Sequence, residues 1–377
     1  MTAAIATGSE RAVAHVDLGA VERNCARLRA ELQRPTQLCA VVKADGYGHG
    51  AEECARAALA GGATWLAVAT GGEAAALREA GIGCRLLVMG ALTPADARTA
   101  AAADADVLAW REESLPALSD AARATARRLR VHVKLDSGMG RLGTRDVDEA
   151  RAVCAAAAAD DRLEFAGLMT HFATADEQGD GHFPAQLATF SDFVREARDR
   201  YPELIVHAAN SAATLRDRAS HFDLVRAGIA VYGLDPFQAD PYARGLEPAL
   251  TLSSYVADVK RFRTGDSAGY GRRWRAEAET WVGVLPIGYG DGVRRGLSNN
   301  AEVLVRGLRR PLVGTVSMDN VTIDLGAHTE VEPGDPAVLI GAQDGDRILC
   351  EEVASRLGTI NYEVTCGLSG RVERRYT

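Results

Sequence analysis

VHVKLDSGMGRLG, residues 131–143, is the stretch on which the fold of this chain turns. A β-branched run ends in a lysine and an aspartate, and Gly138 through Gly143 then spells GxGxxG ahead of a helical stretch. In an open dinucleotide-binding sheet such a turn receives a pyrophosphate, and an acidic residue closes the next strand about 20 residues on. Here the next strand closes with Met169-Thr170-His171. The dinucleotide reading fails at that point. The glycines are better explained as clearing space so that Lys134, Asp136 and Arg141 can approach one shared site.

Runs of the same kind recur on both sides: QLCAVVK, TWLAVAT, RLLVM and ADVLA before it, FAGLMTH, IVHAAN and FDLVR after it. Ala-rich helical patterns such as AEECARAALA and PAQLATFSDFVREARDR fill most of the gaps. Eight such alternations predict an α/β chain with an N-terminal (β/α)8 TIM barrel rather than an open doubly wound sheet. Barrel active sites form at the C-terminal ends of the strands. Lys43, Lys134, Asp136, His171, Asn210 and Arg226 all fall there. Residues 12–245 are assigned to this barrel. Pro236, Pro241 and Pro248 then punctuate a stretch that reads as a linker, and the period changes. LSSYVADVKRF, TWVGVLPIGYG, AEVLVRG, VGTVSMDNVTIDL and AVLIG are strand-like, with one late helix in CEEVASRLG, so residues 246–377 are expected to form a C-terminal β-rich domain.

Composition narrows the classes of function. The chain has 377 residues, 25% charged and 47% hydrophobic, with a net charge of −8. Such a balance argues against a nucleic-acid partner and for small-molecule chemistry. No apolar run approaches the roughly 18 residues a membrane span needs. The opening MTAAIATGSE lacks the basic and apolar segments of a signal peptide and is expected to fray. The seven cysteines are scattered with no CxxC pair, which points to a reducing cytoplasm and to small core side chains rather than disulfides or a zinc site.

The chemistry begins at VVKADGYGHG, residues 41–50, where an apolar run stops at Lys43 and a glycine-rich turn carries Tyr47. A lysine at a barrel mouth loses basicity when desolvated or set beside other cations. As a neutral amine it forms a Schiff base with an aldehyde cofactor or a carbonyl substrate. His171 by itself reads as a core histidine, and Ser211 as a helix cap. Asn210-Ser211 and Arg226-Ala227-Gly228-Ile229 both put amide donors at a strand end, which together form a phosphate cradle late in the barrel. Tyr270, with a glycine on each side, looks built to reach outward, whereas Tyr289 and Tyr362 read as strand tyrosines engaged in packing.

AVVKADGYGHG, VHVKLDSGMGRLG, MTHFATAD, ANSAA, VRAGIAVYG, GYGRRW, PIGYGDGVRR, VGTVSMDN and INYEV follow one another in the order typical of bacterial alanine racemases, which the chain resembles over nearly its whole length. The resemblance implies pyridoxal 5'-phosphate tethered to Lys43, with Tyr47, Ser211, Gly228, Ile229 and Tyr362 holding its phosphate. Arg226 would face the pyridine nitrogen, with His171 and Asn210 around the cofactor. Arg141, steadied by Lys134, and the backbone at Met318 would bind the substrate carboxylate, and Lys134 is N-carboxylated in some such enzymes. It further implies a homodimer with shared sites, in which Tyr270 and Met318-Asp319 enter the partner's site. The activity implied is interconversion of L- and D-alanine, supplying D-alanine for peptidoglycan. Lys43 would be the base for the D-isomer and Tyr270 for the L-isomer, with His171 and Arg226 as candidates for lowering the tyrosine's pKa. Two departures stand out. Thr315 occupies a place where many relatives have arginine, and Gly290 replaces an alanine. Tyr270, Tyr362, Asp176 and Arg295 remain candidate gate residues of the substrate channel.

Other readings stay open: a racemase of serine, lysine or ornithine, a fold-related decarboxylase, and a non-catalytic carrier of the cofactor. A decarboxylase should place an acidic group where Arg226 stands, and a carrier would need only the barrel.

Overall fold

All eight apolar runs become parallel strands of a closed barrel in a computed structural model, which describes residues 11–377. The expectation made for the N-terminal ten residues lies outside the described residues. A first strand, β1 (Val13–Val16), precedes the barrel. The barrel comprises β2 (Gln37–Val41), β3 (Trp65–Val68), β4 (Arg85–Val88), β5 (Ala105–Ala109), β6 (Leu129–Lys134), β7 (Leu163–Met169), β8 (Ile205–His207) and β9 (Leu224–Ala227). It closes where β2 pairs with β9, Cys39 opposite Arg226 and Ala40 opposite Ala227. The strands are short and apolar because each is buried on both faces, as parallel strands are. Helices such as Ala51–Ala60, Gly71–Glu79 and His182–Arg200 follow the strands. Thr70 and Glu73 form a reciprocal capping box at the start of one of them.

The described chain divides into two compact units. Val21–Val231 forms one, and the other joins the segment through Ala20 to Tyr232–Thr377. In the second unit β1 pairs antiparallel with β10 (Leu250–Tyr255) and parallel with Glu373–Tyr376. Those strands belong to a ten-stranded sheet that also contains Thr280–Leu285, Glu302–Val305, Leu308–Val313, Val321–Gly326 and Pro336–Gln343. VGTVSMDNVTIDL is not one strand. Residues 314–320 form a turn between two strands, and that turn carries Met318 and Asp319.

The proline-punctuated stretch is not a loose linker. Its Asp235 is fully buried and takes hydrogen bonds from the Phe237 and Ala239 amides and from Arg244 Nε, which fixes the turn inside the β-rich unit. Five cysteines are buried, but Cys84 is half-buried and Cys366 is exposed. Among the described residues no helix is long and apolar enough to cross a membrane.

Candidate active site

Lys43 emerges directly after β2 and opens a turn of unusual hand. Ala44, Asp45, Gly46, Tyr47 and Gly48 all have positive φ. For an L-residue that conformation costs about 1–2 kcal/mol each, so glycine alone does not explain the turn. Several hydrogen bonds offset the cost. The Ala44 amide donates to Glu73 Oε1 (2.8 Å), the Ala51 amide to Asp45 Oδ1 (3.0 Å) and the Gly50 amide to Asp45 O (2.8 Å). Glu73, the capping-box residue of the helix after β3, thus also anchors the lysine turn.

The same turn buries Tyr47 and sets its hydroxyl against β9. A Cβ placed on Gly228 would lie 2.4 Å from Tyr47 Oη, so only glycine leaves room for the ring there. The Gly228 and Ala230 amides donate to Ser211 Oγ, at 2.9 and 3.3 Å. Ser211 is not the helix cap. Asn210 caps the short helix Ser211–Arg216, accepting from the Ala213 amide (3.0 Å) and freeing the serine hydroxyl for the Gly228-Ile229 corner. Tyr47, Ser211, Gly228 and Ile229, distant in sequence, therefore meet at one corner of the barrel mouth.

Beside that corner the site is cationic. Arg226 is only 3% exposed. Its Nη1 donates to His207 Nδ1 (2.9 Å), and its Nη2 to the carbonyls of Thr170 (2.9 Å) and Ala208 (3.0 Å) and to His171 Nδ1 (3.3 Å). Among the described residues, none of these hydrogen-bond partners is a carboxylate. Burial pulls the guanidinium down to about 10, which leaves it a cation at neutral pH. Lys134, also 3% exposed, is lowered to about 8, first by burial and then by the charges of Arg226 and Arg141. His171 is held well below its usual range by burial and by Arg226, Lys134, Arg141 and Lys43, so it is neutral. Arg141 is exposed on the DSGMG loop. Asp136 folds that loop by accepting from the amides of Gly138 (3.0 Å), Met139 (2.6 Å) and Gly140 (2.9 Å). Gly143 allows the loop's return, because a Cβ there would meet the Asp136 amide at 2.9 Å. Asp176 is exposed in the loop beyond β7.

The remaining expected residues belong to the β-rich unit. Tyr270 does not lie in a strand but on a 3-10 turn, 73% exposed, between Gly269 and Gly271 at positive φ. Thr315 Oγ1 donates to the Tyr270 carbonyl (2.8 Å), and a Cβ on Gly269 would press on the Thr315 amide at 2.9 Å. The threonine thus has a local task, pinning the tyrosine turn. Met318 is 51% exposed. Its carbonyl accepts from the Gly290 amide (2.9 Å), while Asp319 pairs with Arg371 (2.6 Å). At Gly290 a Cβ would press chiefly on the end of the flexible Arg371 side chain, which can swing aside, so nothing in the structure explains the glycine there. Arg295 is exposed at the start of another 3-10 turn.

Tyr362 lies on the short helix Asn361–Cys366 rather than in a strand. Its neighbour Asn361 is fully buried and bonds Glu351 Oε1 (2.9 Å), the Asp235 carbonyl (2.9 Å) and Gln238 (3.0 Å), which fixes the tyrosine's place on the backbone.

Sequence reasoning missed Asp106, His132 and His207. All three are fully buried, and His207 holds the guanidinium of Arg226. The available signal was spacing: His132 lies two residues before Lys134 on β6, so both point to the same face.

Comparison with known proteins gives the same answer over both units. The alanine racemase N-terminal domain family matches residues 16–236, and the C-terminal domain family residues 249–376. The chain is 41% identical to alanine racemase 1 of Bacillus subtilis, covering 96% of this chain and 92% of that protein. It is 42% identical to the alanine racemase of Frankia casuarinae, covering 97% and 96%. The crystal structure of alanine racemase from D-cycloserine-producing Streptomyces lavendulae superposes with a TM-score of 0.94 at 40% identity, covering 98% of each chain. With both domain families matched in order and full-length relatives at this identity, the chain belongs to the alanine racemase family.

Proposed function

We propose that this isomerase interconverts L- and D-alanine with pyridoxal 5'-phosphate tethered to Lys43, using Lys43 on one face of the substrate and Tyr270, from a partner subunit, on the other. The single observation that carries the reading is Arg226, a buried cation at the barrel mouth held by carbonyls and neutral histidines. An arginine cannot readily give the pyridine nitrogen a proton. Electron withdrawal is thereby moderated, which favours returning a proton to Cα over transamination. It also disfavours a decarboxylase, which should have an acidic group in that place.

The donor set fits the cofactor. The Tyr47 and Ser211 hydroxyls and the backbone at Gly228 and Ile229 offer a corner suited to a phosphate, and by family likeness Tyr362 would add a further hydroxyl. Asn210 and His171 would stand around the cofactor's ring by family likeness. Once bound, pyridoxal phosphate supplies the electron sink that acidifies the Cα–H bond. Everything else is the work of side chains. Lys43, at the mouth beside the same cluster that holds Arg226 and His171, is tether and base in this reading. Arg141 and the Met318 backbone would grip the substrate carboxylate, with Asp319 supporting that turn and Asp176 and Arg295 lining the approach. Two cations cannot steady each other, so Lys134 supports Arg141 only as a neutral amine or as a carbamate. A lysine lowered to about 8 can react with carbon dioxide to form that carbamate.

Tyr270 and Met318, 73% and 51% exposed, also require cover. A base open to water would exchange its proton with solvent and lose control of the face it serves. A second copy of the chain supplies the cover in this reading.

Two experiments test the proposal. A chirally resolved assay across alanine, serine, lysine and ornithine should give the highest kcat/KM for alanine, and a preference for another amino acid would overturn the substrate. Inactive Lys43→Ala and Tyr270→Ala chains, mixed, should regain partial activity through subunit exchange. No recovery after verified mixing would remove the shared site.

A further inference from the structure

Arg226 is the end of a longer chain of buried groups. Its Nη1–H occupies His207 Nδ1 (2.9 Å), so the proton of that ring sits on Nε2. His207 Nε2 lies 2.8 Å from His132 Nδ1 and donates to it, which puts the second ring's proton on Nε2 as well. His132 Nε2 then donates to Asp106 Oδ2 at 2.9 Å. Every bond runs the same way, Arg226 to His207 to His132 to Asp106, and both rings must be neutral for it to do so. Asp106 anchors the sequence as a carboxylate. Burial alone would raise its pKa, but the bonds and charges of His132 and Arg85 outweigh burial and hold it at about 2. Arg130 Nε adds a bond to Oδ1 at 2.6 Å.

The path crosses a strand. His132 is on β6 and His207 on β8, with β7 between them, and the residue of β7 opposite His132 is Gly167. A Cβ there would lie 2.3 Å from His132 Nδ1 and 2.4 Å from the Ile205 carbonyl. The two rings meet only because β7 carries no side chain at that point. This glycine is an observation independent of the hydrogen bonds, and it marks the passage as built.

Asp106 is the second residue of β5, near the strand's start, an end of a barrel where buried polar residues ordinarily serve stability. We propose instead that Asp106, acting through His132 and His207, is a positioning residue of the reaction: it fixes the tautomers of both rings so that His207 presents an acceptor to Arg226 and locks the orientation of that guanidinium. This rests on the reading of Arg226 at the cofactor ring. No proton moves along the chain; its role is direction.

The test uses the holoenzyme and histidine 15N NMR. In the native protein both rings should be neutral Nε2–H tautomers throughout neutral pH. A charged ring, or an Nδ1–H on either, would overturn the proposal even if no variant folds. Asp106→Val should scramble the tautomers and lower kcat about 10–100-fold with KM within about twofold. Asp106→Asn, which keeps an acceptor, should restore the tautomers and most of kcat. Gly167→Ala should mimic Asp106→Val. Unchanged tautomers in Asp106→Val, or scrambled ones with native kcat, would refute the role. Native turnover in Arg226→Lys would remove the reading of Arg226, and this proposal with it, and would be recognised because the tautomers stay as expected.

Discussion

The two units hold their functional groups in opposite ways. In the barrel, Arg226 and Lys134 are each 3% exposed, and Arg226 is held by His207 and by the carbonyls of Thr170 and Ala208. In the β-rich unit, Tyr270 is 73% and Met318 51% exposed, on turns held by backbone contacts and by Thr315. The barrel is preorganised: burial shifts its ionisable groups first, and for Lys134 and His171 the neighbouring charges add to it. The β-rich unit presents side chains that acquire a comparable environment only when something covers them. Removing a barrel group should therefore disturb cofactor, electrostatics and fold together, whereas removing a β-unit group should cost chemistry with little loss of stability.

The largest effect is expected at Lys43. If Lys43 is the proposed tether and base, Lys43→Ala should lower turnover by about 10⁴-fold or more, and borohydride should no longer fix the cofactor to the protein. Retained fixation would place the tether elsewhere. Next comes Tyr270→Phe on the open side. Turnover should fall by about 10²–10³-fold, with α-proton exchange from L-alanine lost far more than from D-alanine and thermal stability unchanged. Equal losses from the two isomers would reject the assigned faces.

Acid unfolding probes the barrel's buried charge. The folded pKa of Asp106, about 2, lies below its ordinary 3.8. Its contribution is present above the ordinary value and lost as pH falls through the folded one. Asp106→Asn should therefore lose about 2 kcal/mol less stability than the native chain across that window. Matching profiles would mean that the carboxylate is not held as described. The smallest effect is expected at Thr315→Val, which deletes the bond to the Tyr270 carbonyl. It should cost about 1 kcal/mol or less and lower kcat a few-fold. A loss as large as that of Tyr270→Phe would show that the threonine does more than pin the turn.

Much of the barrel half was legible in sequence because strand, loop and helix repeat eight times, and each catalytic candidate sits where an apolar run stops. Lys43, Lys134, His171 and Arg226 could be picked out on that ground alone. The β-rich half was less legible. Tyr362 sits in a short helix and Tyr270 in a 3-10 turn, and in both places brief apolar spacing cannot separate strand from turn. The Asp106 chain was barely legible, with only the spacing of His132 and Lys134 on one strand pointing toward it. Each member resembles an ordinary core residue, and its partners lie 26 and 75 residues away in sequence.

The sequence alone determined the barrel, the β-rich partner unit and the family, because apolar periodicity and motif order are properties of the linear chain. Only the tertiary structure decided that a left-handed turn carries Lys43, that Asn210 rather than Ser211 caps its helix, and that Gly167 opens a passage between two histidines. Those features depend on close approach between strands and on backbone hand, which residue order constrains only through the packed barrel.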